Sequence, residues 1–534
     1  MNLRQSPLAQ RTDGKPAVRP SSLRQSMASL HTWVGLLPGW ILYLVFLFGT
    51  TAYFQEEISR WMRPELRGGA PSAEALQAAQ TLLERKAADA ASWTVSLPSG
   101  RDGKPLRVSW RPREEGGEAG SAILDERTGR EISVRDTSGG FFLYRFHFEL
   151  SHMPVQWARL IVWISALAML VAILSGVITH KKIFADFFLL RLRKGQRSWL
   201  DAHNVTGVLA LPFHLMITYT GLCSLLFTLM PWPVTANFAS EKAFTQAAYP
   251  LPPDREREGR KAPVLPFGDL IAKSKLAAGG AAPSFFTIAN PGDVAAVVTA
   301  RPRRDRLGSL RESIHLDGAT GTVLSAGPAR GAASATQATM IDIHTGLFAD
   351  LLLRWLYFLS GVLGTAMVGS GLILWTVKRR TRLPDPARPH LGFRLVERLN
   401  IGMMIGPIAG IAAYFLANRL LPSTLADRAD REIESLFLAW GLVFGWTLSR
   451  PPARAWIEGL ATAALLYAMV PLVNALTTTR GLVASVMAGD WVYAGFDMTM
   501  AALSGALALA AWQLASRSPA SPPRRARRVS EMRS

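Results

Sequence analysis

The feature that most constrains this chain is its series of long apolar runs. A bilayer crossing takes about 20 mostly apolar residues in helical form, because backbone polar groups find no partners in hydrocarbon. Eight runs are candidates: 33–54, 157–179, 205–230, 351–377, 399–420, 435–449, 456–477 and 491–514, the sixth being the shortest. The expected fold class is a mainly α-helical polytopic membrane protein with about eight transmembrane helices. The first run has no small-residue cleavage pattern and leads into a folded-looking segment, so it reads as an anchor and not a removed signal peptide. With 49% hydrophobic and 18% charged residues among 534, the chain is not a disordered one. Its single cysteine excludes an internal disulfide, a thiolate zinc site and an iron–sulfur cluster.

The net charge of +20 reads as topology, with no nucleic-acid partner, because much of it lies beside the apolar runs. The N-terminal tail carries Arg4, Arg11, Lys15, Arg19 and Arg24. The 180–201 connection carries Lys181, Lys182, Arg191, Arg193, Lys194 and Arg197. The 378–398 connection carries Lys378, Arg379, Arg380, Arg382, Arg388, Arg394 and Arg398, and the C-terminal tail Arg517, Arg524, Arg525, Arg527, Arg528 and Arg533. With eight spans all four fall on one side, which the positive-inside rule makes cytoplasmic, with both termini inside. The expected organisation is a basic tail (1–30), a first span (31–54), an outer domain (55–150) and two spans (151–230). A second outer domain (231–345), a fourth span (346–377), a basic loop (378–398), four further spans (399–516) and a basic tail (517–534) follow. Runs such as Trp93–Leu97, Leu106–Trp110 and Phe285–Ile288 predict strands, so each outer segment reads as a small α+β domain.

Matched spacings mark a duplication. His31, Gly35 and Gly49 repeat as His203, Gly207 and Gly221. Asp125, Thr128 and Gly129 form a D-x-x-T-G turn between apolar flanks, as do Asp317, Thr320 and Gly321. Arg159 precedes Gly176 by the spacing at which Arg354 precedes Gly371. The first four spans are therefore a doubled unit of span, outer domain and span, and the last four look like an addition.

Seven of the nine histidines lie in or near spans: His31, His147, His152, His180, His203, His214 and His344. Span-end histidines are often interfacial, but His214 is deeper. It lies eleven residues after His203, about 16 Å along a continuous helix and nearly on the same face. Imidazoles from different helices with glycines nearby suit haem b, which needs no cysteine. The ligand candidates are His31, His147, His152, His203, His214 and His344. Their depths suggest two haems. His203 and His214 compete as the partner of His31, and His147 and His152 as the partner of His344. Arg159 and Arg354 either contact haem propionates or snorkel to the interface. Imidazole also suits zinc, copper and other iron sites. His315 and His390 lie in soluble segments and receive no role. Asp497 reads as a carboxyl satisfied by a neighbouring helix. No P-loop or dinucleotide fingerprint is present, so ATP or nicotinamide binding is not expected.

The stretches LHTWVGLLPGWILYLVFLFGT, FHFELSHMPVQWARL, LSGVITHKKIFADFF, LDAHNVTGVLALPFHLMITYTGL and IDIHTGLFADLLLRWLYFLSG resemble the PepSY-associated transmembrane-helix family of bacteria, over roughly residues 25–380. The D-x-x-T-G strand pairs resemble PepSY modules. Family members include inner-membrane proteins of iron acquisition, among them di-haem ferric-siderophore reductases. The resemblance implies bis-histidine haem b and iron reduction on the periplasmic side. It also implies His31, His147, His180, His203, His214 and His344 as the family's histidine pattern. Partners would be the bilayer, a ferric siderophore or other periplasmic acceptor, and an unidentified donor, either cytoplasmic or the quinone pool. The four C-terminal spans depart from four-span members. Two other readings stand beside this one: a non-enzymatic, membrane-anchored PepSY module that binds or regulates a partner, and a transporter.

Overall fold

The computed structural model describes residues 22–98, 103–114, 117–180, 190–191, 194–248, 255–304, 306–308, 312–326 and 331–516. Both basic tails, apart from Arg24, and Lys181, Lys182 and Arg193 lie outside the described residues.

The first unit opens with α1 (Leu23–Leu36) and α2 (Gly39–Ala52), then the short α3 (Gln55–Trp61), α4 (Ala73–Lys86), strands β1 (Ser92–Ser96), β2 (Leu106–Arg111) and β3 (Gly120–Leu124), α5 (Gly139–Glu149) and the long α6 (Val155–Thr179). The second unit follows the same plan. It runs α7 (Gln196–Leu209), α8 (Leu211–Ser224), the short α9 (Leu226–Leu229), α10 (Trp232–Asn237) and α11 (Glu241–Ala248), and α12 (Phe267–Ala277). Strands β4 (Pro283–Ala289), β5 (Val297–Pro302), β6 (Ile314–Asp317) and β7 (Val323–Ser325) precede α13 (Ala332–Thr345) and the 30-residue α14 (Leu351–Arg380). The addition comprises α15 (Leu391–Leu420), α16 (Arg428–Ser449), α17 (Pro452–Thr477), α18 (Leu482–Met487) and α19 (Trp491–Ala515).

Among the described residues, five helices are long and apolar enough to cross a membrane: α6, α14, α15, α17 and α19. Two bent pairs raise the count to seven if each crosses as one span. The runs expected to be continuous at 33–54 and 205–230 are broken. α1 meets α2 at 63° and α7 meets α8 at 69°. Pro38 and Pro212 sit at the breaks, where a missing N–H and the ring's clash with the preceding turn end a helix. The sixth expected run, 435–449, is the latter part of α16. The first two turns of α16 hold Arg428, Asp430, Arg431, Glu432 and Glu434, so its apolar stretch stays short.

The two segments expected to lie outside the membrane share one sheet. The strand order is β3-β2-β1-β4-β5-β6-β7, and every neighbouring pair is antiparallel. The units join where β1 pairs β4, with Thr94 opposite Thr287 and their hydroxyls 3.2 Å apart. Alternate residues (Trp93, Val95, Val108, Phe286, Ile288, Val298, Leu316) form one core under α4 and α12. Both D-x-x-T-G turns are built alike. The Asp125 carboxylate accepts the Thr128 N–H and hydroxyl at 2.8 and 2.9 Å, and Asp317 accepts those of Thr320 at 3.0 Å each. Gly129 and Gly321 both take φ of 68°, a left-handed conformation that glycine adopts without Cβ strain.

The addition docks on one side of the first unit. α15 and α16 pack closely because Gly402, Gly406 and Gly410 bring the backbones together: a Cβ at Gly402 would lie 1.7 Å from Phe444. Trp40 of α2 donates to Asn400 at 2.8 Å, and Trp61 of α3 donates to Asp497 at 3.0 Å. Asp497 also accepts from Asn474 at 2.9 Å, so this buried carboxyl is satisfied between helices. The buried Arg428–Glu432 pair reaches Thr137 and Asn418. The charges of α16 thus serve as a hydrogen-bonded dock against the loop before α5.

Candidate functional site

Four histidines form two facing pairs, and each pair takes one member from each unit. Far from the sheet, His31 on α1 faces His203 on α7, with ring centres 6.1 Å apart. Nearer the sheet, His147 on α5 faces His344 on α13 at 6.0 Å. We call these the tail-side and sheet-side pairs.

All four rings are held by one local device. The Nδ1 of His31 lies 2.8 Å from the Ala172 carbonyl, and that of His203 lies 2.8 Å from the Met367 carbonyl. His147 Nδ1 lies 2.6 Å from the Val45 carbonyl, and His344 Nδ1 lies 3.0 Å from the Ile217 carbonyl. A carbonyl only accepts, so each Nδ1 carries the proton and the neutral ring's lone pair sits on Nε2. Four residues after each carbonyl, one turn on, stands a glycine: Gly176, Gly371, Gly49 and Gly221. A Cβ there would lie 3.2 Å from His31, 3.1 Å from His203, 2.5 Å from His147 and 2.8 Å from His344. These glycines are seats for the rings. Gly35, one turn after His31, meets nothing within 4 Å and lines open space, while a Cβ at Gly207 would press on Met367.

Each pair borders a cavity. The sheet-side one has about 1350 Å³ of atom-free space, partly open to the surroundings, and is walled by Phe46, Trp163, Phe213 and Tyr144. The tail-side one has about 1960 Å³, with Gly35, Gly176, Gly207 and Gly371 among its lining. Leu42 and Met169 line both and form the wall between them.

The residues fit bis-histidine haem. A metal–imidazole bond of ~2.0 Å on each side of one iron sets the ring centres about 6 Å apart. Carbonyl-anchored Nδ1 groups are the outer-shell contacts that orient ligating histidines. Zinc takes three or four protein ligands, and among the described residues no three His, Cys, Asp or Glu cluster together.

The other candidates lie apart from these pairs. His214 is fully buried on α8, lines the tail-side cavity and has Phe46 and Phe213 at 5.9 and 6.1 Å. Among the described residues its ring nitrogens make no hydrogen bond of good geometry, although the backbone of Gly207 and Ser360 is close by. The break at Ala210 removes the straight-helix relation to His203 on which its depth was reckoned. His152 is exposed at φ 64°, with its ring 4.6 Å from Phe437 of α16. His180 caps α6, accepts from Asn204 at 3.1 Å and lines the tail-side cavity. His315 is buried in the sheet between Thr299 and Ser313, and His390 caps α15. Arg159 is paired with Glu149 and Arg354 with Glu57, and neither lines either of these two cavities. Sequence reasoning missed Glu149 and Glu57 as their partners, and the seating role of Gly49 and Gly221. The available signal was the carbonyl-plus-four spacing of glycine, which means something only once the facing helix is known.

Comparison with known proteins agrees with this architecture. An uncharacterized protein of Pseudomonas aeruginosa is 30% identical over 289 residues, which is 50% of this chain and 70% of that protein. The model of the PepSY-associated TM region matches residues 28–378, covering both histidine pairs and the sheet but not the five added helices. The chain is a multi-pass membrane protein that belongs to the PepSY-associated transmembrane family.

Proposed function

We propose that the chain is a transmembrane electron carrier holding two haem b groups, one at each histidine pair, and that it reduces siderophore-bound ferric iron on the sheet side. The observation that carries this reading is the pair of 6.1 and 6.0 Å ring separations, each between imidazoles whose Nδ1 is anchored to a helix carbonyl. When bound, haem iron supplies one-electron redox chemistry at a potential set by its axial ligands and burial.

The chain's own part is structural and electrostatic. The carbonyl bonds hold each ring in the tautomer that presents Nε2, and the seat glycines set its height. Leu42 and Met169 form an apolar wall between the cavities. The basic residues of the 180–201 and 378–398 connections support a tail side in the cytoplasm and a sheet in the periplasm of a bacterial inner membrane. His31 and His203 would hold the haem on the side of a cytoplasmic donor or the quinone pool, and His147 and His344 the haem nearer the acceptor. Fe(III) in the siderophore takes one electron, and the resulting Fe(II) is held less tightly by oxygen ligands and released. Broken spans also occur in transporters. Here the short arms α1 and α7 carry His31 and His203, and a transport or anchor role gives no reason for four matched histidine seats.

The test is vesicles containing the purified chain and trapped dithionite, with a ferric hydroxamate siderophore and an Fe(II) chelator outside. External Fe(II) should form at least tenfold faster than in vesicles of the His147→Ala or His203→Ala variant. Equal rates in all three, matching protein-free vesicles, would refute the proposal.

A further inference from the structure

The end of α14 carries charge that the fold leaves unused. From Gly371, the seat of His203, the positions four, seven and eight residues on are Trp375, Lys378 and Arg379, which share one helix face, and Arg382 follows just past the helix end. All four line the tail-side cavity together with His31 and His203. At 1.5 Å rise per residue, Lys378 and Arg379 stand about 11 Å beyond Gly371 toward the tail side.

These cations have no carboxylate partner among the described residues. Arg379 is instead clasped by two indoles, its guanidinium 5.3 Å from the Trp33 ring centre and 4.3 Å from that of Trp375. The indole N–H of Trp375 is buried and donates to nothing among the described residues. Three like charges at one cavity mouth repel one another, the unmet donor beside them costs free energy, and a bound anion would relieve both. The sheet-side cavity differs: no Lys or Arg lines it. The arginines near it, Arg159, Arg304 and Arg354, are neutralised by Glu149, Asp342 and Glu57.

We propose that Lys378, Arg379, Arg382 and the Trp375 N–H form a carboxylate-binding site for the two propionates of a haem seated between His31 and His203, so that its polar edge faces the tail side. The assignment rests on the haem reading above. A phosphate or carboxylate of a soluble electron donor would use the same chemistry, and the experiment separates the two sources.

The full-length chain is prepared with His147→Ala, which leaves only the tail-side pair, and the triple substitution K378Q/R379Q/R382Q is added to it. Both proteins are loaded in detergent with haem b or with its dimethyl ester, whose propionates are uncharged, and retained haem is counted after gel filtration. The triple variant should hold haem b at least tenfold more weakly than its parent, and the ester should bind both equally. In a His31→Ala background the same triple should keep the sheet-side haem in full, which reports on folding. Equal haem b affinity of triple and parent would overturn the assignment; slowed reduction by a soluble donor alongside that equality would give the cations to donor docking. Loss of the sheet-side haem as well would show a general structural role and also overturn it. No haem in the unsubstituted chain would refute the haem reading itself.

Discussion

The two histidine pairs share a seat but not a rim. At both, a helix carbonyl fixes Nδ1 and a glycine one turn later lets the ring sit against the backbone. At the tail-side pair a Cβ on the seat would come within 3.1–3.2 Å of the ring, at the sheet-side pair within 2.5–2.8 Å. The tail-side cavity is rimmed by Lys378, Arg379 and Arg382, and the sheet-side cavity by Tyr53, Gln55 and Tyr144. Duplication thus preserved the part that holds each histidine ring, while the surroundings diverged. At one site Lys378, Arg379 and Arg382 have no carboxylate partner among the described residues. At the other, nearby arginines are already paired with carboxylates and serve packing.

That contrast can be broken at several strengths. The largest effect is expected from the rings themselves. His344→Ala should remove one haem of two, His203→Ala the other, and the losses should add, because sites without shared partners behave independently. A pyridine haemochrome count on each single and the double variant checks this. Next come the seats. Gly49→Ala and Gly221→Ala should weaken the sheet-side haem roughly tenfold or more, since forced overpacking costs about 1–3 kcal/mol. Gly176→Ala and Gly371→Ala should act more mildly on the tail-side haem, and haem titration of the four variants would show whether that order holds. His214→Leu should keep both haems and leave thermal stability unchanged or slightly raised, because a buried polar group without partners costs about 1–3 kcal/mol. Haem loss in that variant would make His214 a ligand.

The smallest effect belongs to the sheet. The Thr128 N–H beside Asp125 holds its carboxyl below the usual range. Burial pushes Asp317 up, but the Thr320 N–H and the Arg255 guanidinium outweigh this and leave it lowered as well. A depressed folded pKa stabilises the fold above the ordinary carboxylate range of about 4, and that contribution is lost as pH falls through the folded value. Asp125→Asn with Asp317→Asn should therefore destabilise the chain by roughly 1 kcal/mol per turn at pH 7. The difference from the unsubstituted chain should shrink below pH 4, as followed by denaturant unfolding.

Much of the plan was legible before any coordinates. The apolar runs marked the helices, and the His–Gly and D-x-x-T-G spacings marked the duplication. What stayed hidden depended on partners distant in sequence. The seat of His147 is Gly49 and that of His344 is Gly221, and nothing local connects them. Arg159 and Arg354 read equally as propionate contacts or as side chains snorkelling to the interface, because nothing local says that Glu149 and Glu57 face them. Pro38 and Pro212 were visible, but an apolar run alone does not say whether a helix passes through a proline or turns at it. The joining of the two outer segments through β1 and β4 rests on strand edges nearly 200 residues apart. Lys378, Arg379 and Arg382 were read as topology signals, which leaves their cavity-facing side unread.

The most direct test of the account is the visible spectrum and haem count of the full chain purified from cells supplied with excess haem. The account predicts a six-coordinate, low-spin b-type spectrum that shifts on reduction, with two haems per chain. A preparation that is folded yet holds no haem would contradict it, and the four histidine seats would then need another occupant.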